Sequence, residues 1–236
     1  LHPGSPVTLG EDFCGAAAIA HAWAGLGPRF RAVAVDRDPD ALLHAPSHPR
    51  LRLVGRDVRR VRDKVDVLCG FNFAACELHT RGELLGYLRN ARRRLRPRGL
   101  LALDLYGGAT AWVTGEQRRT VALPRALGGG SGVRVEYTWE QRSADASTGM
   151  VENAVAFRVT RRGAAPLAYP EAFVYRWRLW GIAELRDAMA EAGFEKTEVH
   201  DRLGGALDGA GRPVPRPVFP GEGLDDDYVA YVVGRA

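Results

Sequence analysis

Carboxylates stand at three places where short apolar runs end. Glu11 and Asp12 follow Val7–Leu9, Asp36 follows Ala32–Val35, and Asp57 lies just beyond Leu51–Val54. A carboxylate at the end of the second run can accept hydrogen bonds from both hydroxyls of a ribose. Each such charge-assisted bond is worth about 1.5–3 kcal/mol. The same charge repels a ribose phosphate, which argues against NADP, and Asp57 is placed to accept from an adenine amino group. The turn Glu11-Asp12-Phe13-Cys14-Gly15 must bring backbone close to such a ligand, and Gly15 supplies the small residue there. A dinucleotide would need G-x-G-x-x-G for its pyrophosphate to approach the start of a helix. The chain instead reads F-C-G-A-A-A from Phe13, with bulk and negative charge where a diphosphate would sit.

These acids need a scaffold that brings strand ends together. The mainly apolar runs Val7–Leu9, Ala32–Val35, Leu51–Val54, Val65–Cys69 and Leu100–Leu105 suit parallel strands buried on both faces. Alanine-rich Ala16–Ala24 predicts a helix after the first strand, ending at Gly25. A second helix lies between the fourth and fifth strands, where Thr80 and Glu83 form a capping box ahead of an apolar stripe at Leu84, Leu85, Leu88, Ala91 and Leu95. Pro97 and Gly99 are expected to end it. Strands alternating with helices imply a Rossmann-like, doubly wound α/β sheet, whose ligands sit beyond the carboxyl ends of the strands.

After Tyr106 the pattern changes. Val133–Gln141, Glu152–Thr160 and Ala172–Leu179 alternate as antiparallel strands do, with turns at Gly128–Gly132 and Ser143–Gly149. A helix returns at Ile182, Leu185, Met189 and Ala192. A strand at Thr197–Asp201, a Gly/Pro-rich loop over Gly204–Gly223 and a last, antiparallel strand at Tyr228–Val233 complete the chain. The expected division is a cofactor-binding core over 1–111, an inserted antiparallel layer serving as lid or substrate region over 112–180, and a completing helix and strands over 181–236.

Taken in order, E-D-F-C-G-A-A, V-A-V-D-R-D-P, G-R-D-V and C-G-F-N-F resemble class I S-adenosylmethionine-dependent methyltransferases. They look most like the subgroup whose first motif reads Glu-Asp-Phe-Cys-Gly-Thr. L-H-T-R-G-E-L-L, G-L-L-A-L-D-L-Y-G-G, Y-T-W-E-Q, F-V-Y-R-W-R-L-W and E-A-G-F extend the likeness over most of the chain. The resemblance implies S-adenosylmethionine as cofactor, a ligand that has no phosphate and whose cationic sulfonium tolerates an acidic turn. It also implies a site made of Glu11, Asp12, Phe13, Gly15, Asp36, Arg37, Asp57 and Val58, with Phe71 and Asn72 flanking the methionine end. The sequence departs from the family's Gly-x-Gly-x-Gly in having Phe13 and Ala17 at the first and third glycine positions, and Ala16 replaces the subgroup's threonine.

Methyl transfer is an in-line displacement at an activated carbon, so aligning the acceptor matters more than acid–base help. Tyr106 and His79 are the catalytic candidates. Trp139, Tyr175 and Arg178, again with Tyr106, are the candidates for contacting the acceptor. No set of residues has metal-ligand spacing.

The length suits one α/β domain with an elaboration, and no apolar run is long enough to span a bilayer. Three cysteines cannot build a disulfide framework, which points to a cytoplasmic protein. The chain opens on Leu1, with no leader pattern, close to its first strand, so a preceding segment is expected to be missing. The net charge of +5 invites a nucleic-acid partner. The densest arginine cluster (Arg89, Arg92, Arg93, Arg94, Arg96, Arg98) reads instead as one solvated helix face and its exit. The expected partner is therefore a small-molecule acceptor, methylated at N, O or C, and exposed antiparallel strands are compatible with a homodimer. The alternatives are an RNA or protein methyltransferase and a non-catalytic adenosyl-binding relative.

Overall fold

The computed structural model describes residues 2, 4–121, 133–204 and 206–236. The turn expected at Gly128–Gly132 lies outside the described residues. In chain order the elements are β1 (Thr8–Asp12), α1 (Ala18–Gly25), β2 (Arg31–Asp36), α2 (Pro39–Leu43), β3 (Leu51–Gly55), β4 (Val65–Gly70), α3 (Arg81–Arg94), β5 (Leu95–Gly108) and β6 (Gly115–Val121). They continue with β7 (Val133–Asp145), β8 (Met150–Arg161), β9 (Leu167–Arg178), α4 (Ile182–Glu191), β10 (Lys196–His200), β11 (Ala206–Leu207), β12 (Pro213–Val214) and β13 (Asp227–Arg235). They fall into two compact units, residues 1–108 with 180–236, and residues 109–179.

The first unit is built on a seven-stranded sheet in the order β10-β13-β5-β4-β1-β2-β3. β1 pairs in parallel with both β2 and β4, so strand order reverses at β1. β13 runs antiparallel to β5 and to β10. The sheet is thus mostly parallel with an antiparallel last strand, as the apolar runs imply. One face carries Leu84, Leu88 and Ala91 of α3 and Leu185, Ala188 and Met189 of α4, in one core with Leu68, Leu101, Leu103 and Val232. Ala17, Ala20 and Ala24 meet Leu9, Ala32, Ala34 and Cys69 in a second core, where small side chains let α1 lie close. The chain re-enters this unit at Trp180, whose ring N–H donates to the carbonyls of Ala75 and Leu78, both at 3.1 Å.

The capping box forms as read: the Thr80 hydroxyl accepts the Glu83 amide and the Glu83 carboxylate accepts the Thr80 amide. Three expectations need correction. Pro97 and Gly99 do not mark a helix exit but lie inside β5, where the pairing with β4 shifts register between Val65 and Val67. Arg96, Pro97 and Arg98 bow outwards there, with Arg98 at φ 66°, because proline has no N–H for the ladder. Gly99 is required at that bend, since a Cβ would stand 2.9 Å from the carbonyl oxygens of Arg96 and Asp66.

The arginine run, secondly, is not simply a solvated face. Arg89 joins Arg81 on Glu191 of α4, and Arg92 donates to the Gly193 carbonyl at 3.1 Å. Arg94 turns inward and is 1 % exposed. Thirdly, Glu11 and Asp12 are not beyond β1 but its last two residues.

The second unit is a four-stranded antiparallel sheet, β6-β7-β8-β9. Cross-strand and same-strand aromatic contacts run along it. Tyr175 stacks on Trp177 at 4.5 Å and 26°, and Trp139 lies 6.3 Å from Tyr175. The polar turn between β7 and β8 is shorter than expected, because β7 runs on to Asp145, whose carboxylate accepts the Ser147 amide. No helix among the described residues is long and apolar enough to cross a membrane.

Candidate functional site

The site begins where β1 stops. Beyond Asp12 the chain turns through Phe13 (φ 54°), Gly15 (φ 50°) and Ala17 (φ 55°) before α1 starts. These are the three positions at which the family motif has glycine, and all three keep the left-handed backbone that glycine adopts without strain. Side chains disfavour that region by about 1–2 kcal/mol per residue, so other interactions must hold Phe13 and Ala17 there.

Carboxylates supply much of that hold. Glu11, 5 % exposed, accepts the Ala20 amide of α1 at 2.6 Å. Burial lifts its carboxyl from 4.5 to about 7, against the pull of the Ala20 and Ile19 amides. Asp12 is fully buried and takes Nη1 of Arg94 on both oxygens, at 2.7 and 2.8 Å. Burial pushes its carboxyl up, with the guanidinium opposing. Asp36, half-buried at the end of β2, accepts the Gly15 amide at 2.8 Å on one oxygen and the Asp38 amide at 2.9 Å on the other. The Cys14 amide donates to the Val35 carbonyl at 3.0 Å. Phe13 packs edge-on against the buried Tyr87, ring centroids 5.5 Å apart.

A cleft opens beside this turn, at the reversal of strand order. It gathers Phe13, Asp36, Arg37, Asp57 and Val58 of the expected site. Each oxygen of Asp36 has a second lone pair left for a ribose hydroxyl. A Cβ built on Gly15 would meet no atom within 4 Å, so the turn faces open space. Asp57 caps the short helical turn Val58–Arg60 by accepting the Arg59 amide at 2.8 Å. It also grips the Arg59 guanidinium at 2.6 Å, which holds its carboxyl below the usual range.

The cleft includes residues that sequence reasoning missed. Arg56 and Arg59 line it beside Asp57, and Glu77, Leu78 and Glu83 complete it. Arg37 reaches Glu77 at 3.5 Å, and Arg59 reaches Glu83 at 3.7 Å. The basic residues were visible in G-R-D-V-R-R. Glu83 read only as a cap, and it does both.

Phe71, Asn72 and His79 are not in the cleft lining among the described residues. Phe71 packs edge-on against Tyr231 at 5.6 Å. Asn72 is exposed at φ 62°. His79 is exposed, its amide donating to Glu83 at 3.1 Å. Tyr106 leaves β5 with its ring 4.8 Å from that of Phe73. Trp139, Tyr175 and Arg178 belong to the second unit, on β7 and β9.

The cysteines are poor nucleophiles: burial pushes Cys14 and Cys76 up to about 12, and Cys69 well above its usual value. No cluster of metal-ligating side chains occurs among the described residues.

No protein-family model matches the chain, and no curated protein sequence does. Solved structures do. DesVI of Streptomyces venezuelae aligns over 98 % of this chain and 84 % of its own at 18 % identity, with a TM-score of 0.71. CalS10 of Micromonospora echinaspora, a SAM-bound amino pentose methyltransferase involved in calicheamicin biosynthesis, aligns over 98 % and 84 % at 18 % identity and a TM-score of 0.66. The sugar N-methyltransferase KedS8 of Streptoalloteichus aligns over 98 % and 80 % at 16 % identity and a TM-score of 0.63. At these identities the likeness shows a shared fold.

Proposed function

We propose that this chain is an S-adenosylmethionine-dependent methyltransferase acting on a small-molecule acceptor. The observation that carries the proposal is Asp36. Its half-buried carboxylate pins the left-handed turn after β1 and lines the cleft at the reversal of strand order, with lone pairs to spare. A ribose held there has its hydroxyls on Asp36, while the turn offers backbone and open space at Gly15 rather than a phosphate cradle.

When bound, S-adenosylmethionine supplies a methyl carbon already activated by the neighbouring sulfonium. The chain's own residues have the remaining tasks. Asp36 orients the nucleoside, and Val58 and Phe13 give its base apolar surface. Asp57 and the arginines beside it set the polarity of the cleft's far wall. Asn72 and Phe71, outside the cleft lining, are assigned to the methionine end by the resemblance, and Tyr106, beside Phe73, is the candidate to act on an acceptor's proton. The names of CalS10 and KedS8 make an amino sugar the first acceptor to try.

Thermal unfolding tests this reading. S-adenosylmethionine and S-adenosylhomocysteine should each raise the melting temperature, and NAD should not. Asp36→Ala should remove the shift, because losing the ribose acceptor weakens binding by about 1.5–3 kcal/mol. Absence of a shift with both adenosyl ligands would overturn the proposal.

A further inference from the structure

The parallel ladder between β4 and β5 ends at the pair Gly70–Leu103. β5 continues and β4 does not. The next residue on β5 is Asp104, 6 % exposed, an acid in an otherwise apolar run. Beyond Gly70 the chain bends away through Asn72 and Phe73, both at φ 62°, a region that side chains disfavour. The amides of these residues have left the ladder and are partly withdrawn from water, so they need another acceptor. Asp104 takes both: the Asn72 amide donates to one carboxylate oxygen at 2.9 Å, and the Phe73 amide to the other at 2.7 Å. Two residues on along β5, Tyr106 lies against the Phe73 ring. A single strand thus holds the bend by a carboxylate and by an aromatic contact.

We propose that Asp104 is the positioning residue of the bend after β4, fixing where Phe71 and Asn72 stand at the methionine end of the cofactor. The functional half of this proposal rests on the cofactor reading above. Asp104 holds backbone amides and is not in the cleft lining, so it acts through the bend. Its removal should affect the methionine end of a bound ligand and leave the nucleoside end alone, since Asp36 ends β2 and Asp57 follows β3.

The test compares two ligands and one pair of amides. S-adenosylhomocysteine has the amino-acid arm, whereas methylthioadenosine has only the nucleoside and a thioether. Asp104→Asn keeps one acceptor oxygen and sets an NH₂ group against the second amide. Calorimetry should show S-adenosylhomocysteine weakened roughly tenfold, because binding must then re-form a bend that the unaltered protein holds in advance. Methylthioadenosine should bind as it does to the unaltered protein. Hydrogen exchange at Asn72 and Phe73 should be slow in the unaltered protein and faster in the variant. Asp104→Ser, with a smaller polar group in the same place, serves if Asp104→Asn does not fold.

Equal weakening of both ligands, or of neither, would overturn the role at the methionine end. Fast exchange at Asn72 and Phe73 in the unaltered protein would overturn the clamp itself. If the unaltered protein binds neither ligand, the cofactor reading fails and takes the functional half with it, while the exchange data still decide the clamp.

Discussion

The least exposed acids of the first unit and the surface acids of the second do different work. In the parallel-sheet unit, carboxylates of low exposure accept backbone N–H groups and hold turns. Glu11 takes Ala20, Asp36 takes Gly15 and Asp38, Asp66 takes Val7 and Thr8, and Asp104 takes Asn72 and Phe73. In the antiparallel unit Asp145 accepts the Ser147 amide at an exposed turn, and the other acids meet arginines on the surface. Glu116 pairs with Arg118, Glu136 with Arg134, Glu152 with Arg176, and Glu140 and Glu171 with Arg142. A carboxylate on backbone amides fixes the course of the chain to within a hydrogen bond. A solvated ion pair between long side chains fixes little, because water and salt compete for both partners. Geometry that chemistry depends on is therefore expected where carboxylates hold backbone.

The sharpest way to break this comparison is at Asp12. Its partner Arg94 is buried, with Nε and Nη2 already lacking partners among the described residues, so Asp12→Ala strands an uncompensated charge. Losing one member of a buried pair typically costs about 3–5 kcal/mol. Urea unfolding should show a loss of that size with the slope unchanged. A loss below about 1 kcal/mol would mean that Arg94 finds water, and the unit's interior would not be as dry as its burial indicates.

Glu11 gives a pH-dependent test. Unfolded, its carboxyl releases a proton near 4.5, whereas in the folded protein it holds the proton to about 7. Between those values the folded state binds more protons than the unfolded state. Stability from this group therefore falls as pH rises through the window and is lowest above 7. Glu11→Gln removes the titration and keeps an acceptor for the Ala20 amide. The stability of the variant minus that of the unaltered protein should rise by about 1–3 kcal/mol from pH 4.5 to 7.5. Parallel stability curves would show that Glu11 is not desolvated.

Much of the first unit was legible because its central strands β1, β2, β4 and β5 are largely buried and leave mainly apolar runs, whereas β3 at the sheet edge is half exposed. α3 announces its start through Thr80 and Glu83. β6 was not legible: G-E-Q-R-R-T-V has no apolar alternation, as befits a sheet edge whose charges discourage further pairing. α2 is only five residues long, and its signal, Asp38 ahead of Pro39, is easily passed over between two strands. In the site, the acid ending β2 shares its cleft with Asp57 because both follow neighbouring parallel strands, and that spacing is local. The inward turn of Asp12 is not local, since its partner lies 82 residues away. Nor does L-D-L around Asp104 say which bend the acid serves, although an acid inside a buried run was itself a signal that something polar must meet it.

Strain in the first turn can be weighed with two glycine substitutions. Ala17 and Ala20 are both fully buried, but Ala17 is left-handed and Ala20 is helical. Ala20→Gly loses helix propensity and a buried methyl, about 2 kcal/mol together. Ala17→Gly loses a methyl as well but relieves a backbone that glycine adopts freely, so the loss should stay within about 1 kcal/mol. The gap between the two is the strain carried at a position where the family motif has glycine. Equal losses would mean that the left-handed turn holds no strain.

The smallest effect should come from the best-connected surface pair of the antiparallel unit. Arg142 reaches Glu140 at 2.9 Å and Glu171 at 2.7 Å, linking β7 to β9 across the sheet. By distance it rivals Asp12 with Arg94. Yet Glu171 is 58 % exposed, and all three side chains keep access to water in both folded and unfolded states. Glu171→Gln should leave the melting temperature unchanged at physiological salt, and the affinity for S-adenosylhomocysteine unchanged with it. A loss on the scale of Asp12→Ala would erase the distinction between the units, because surface pairing would then be holding the fold as firmly as the buried acids do.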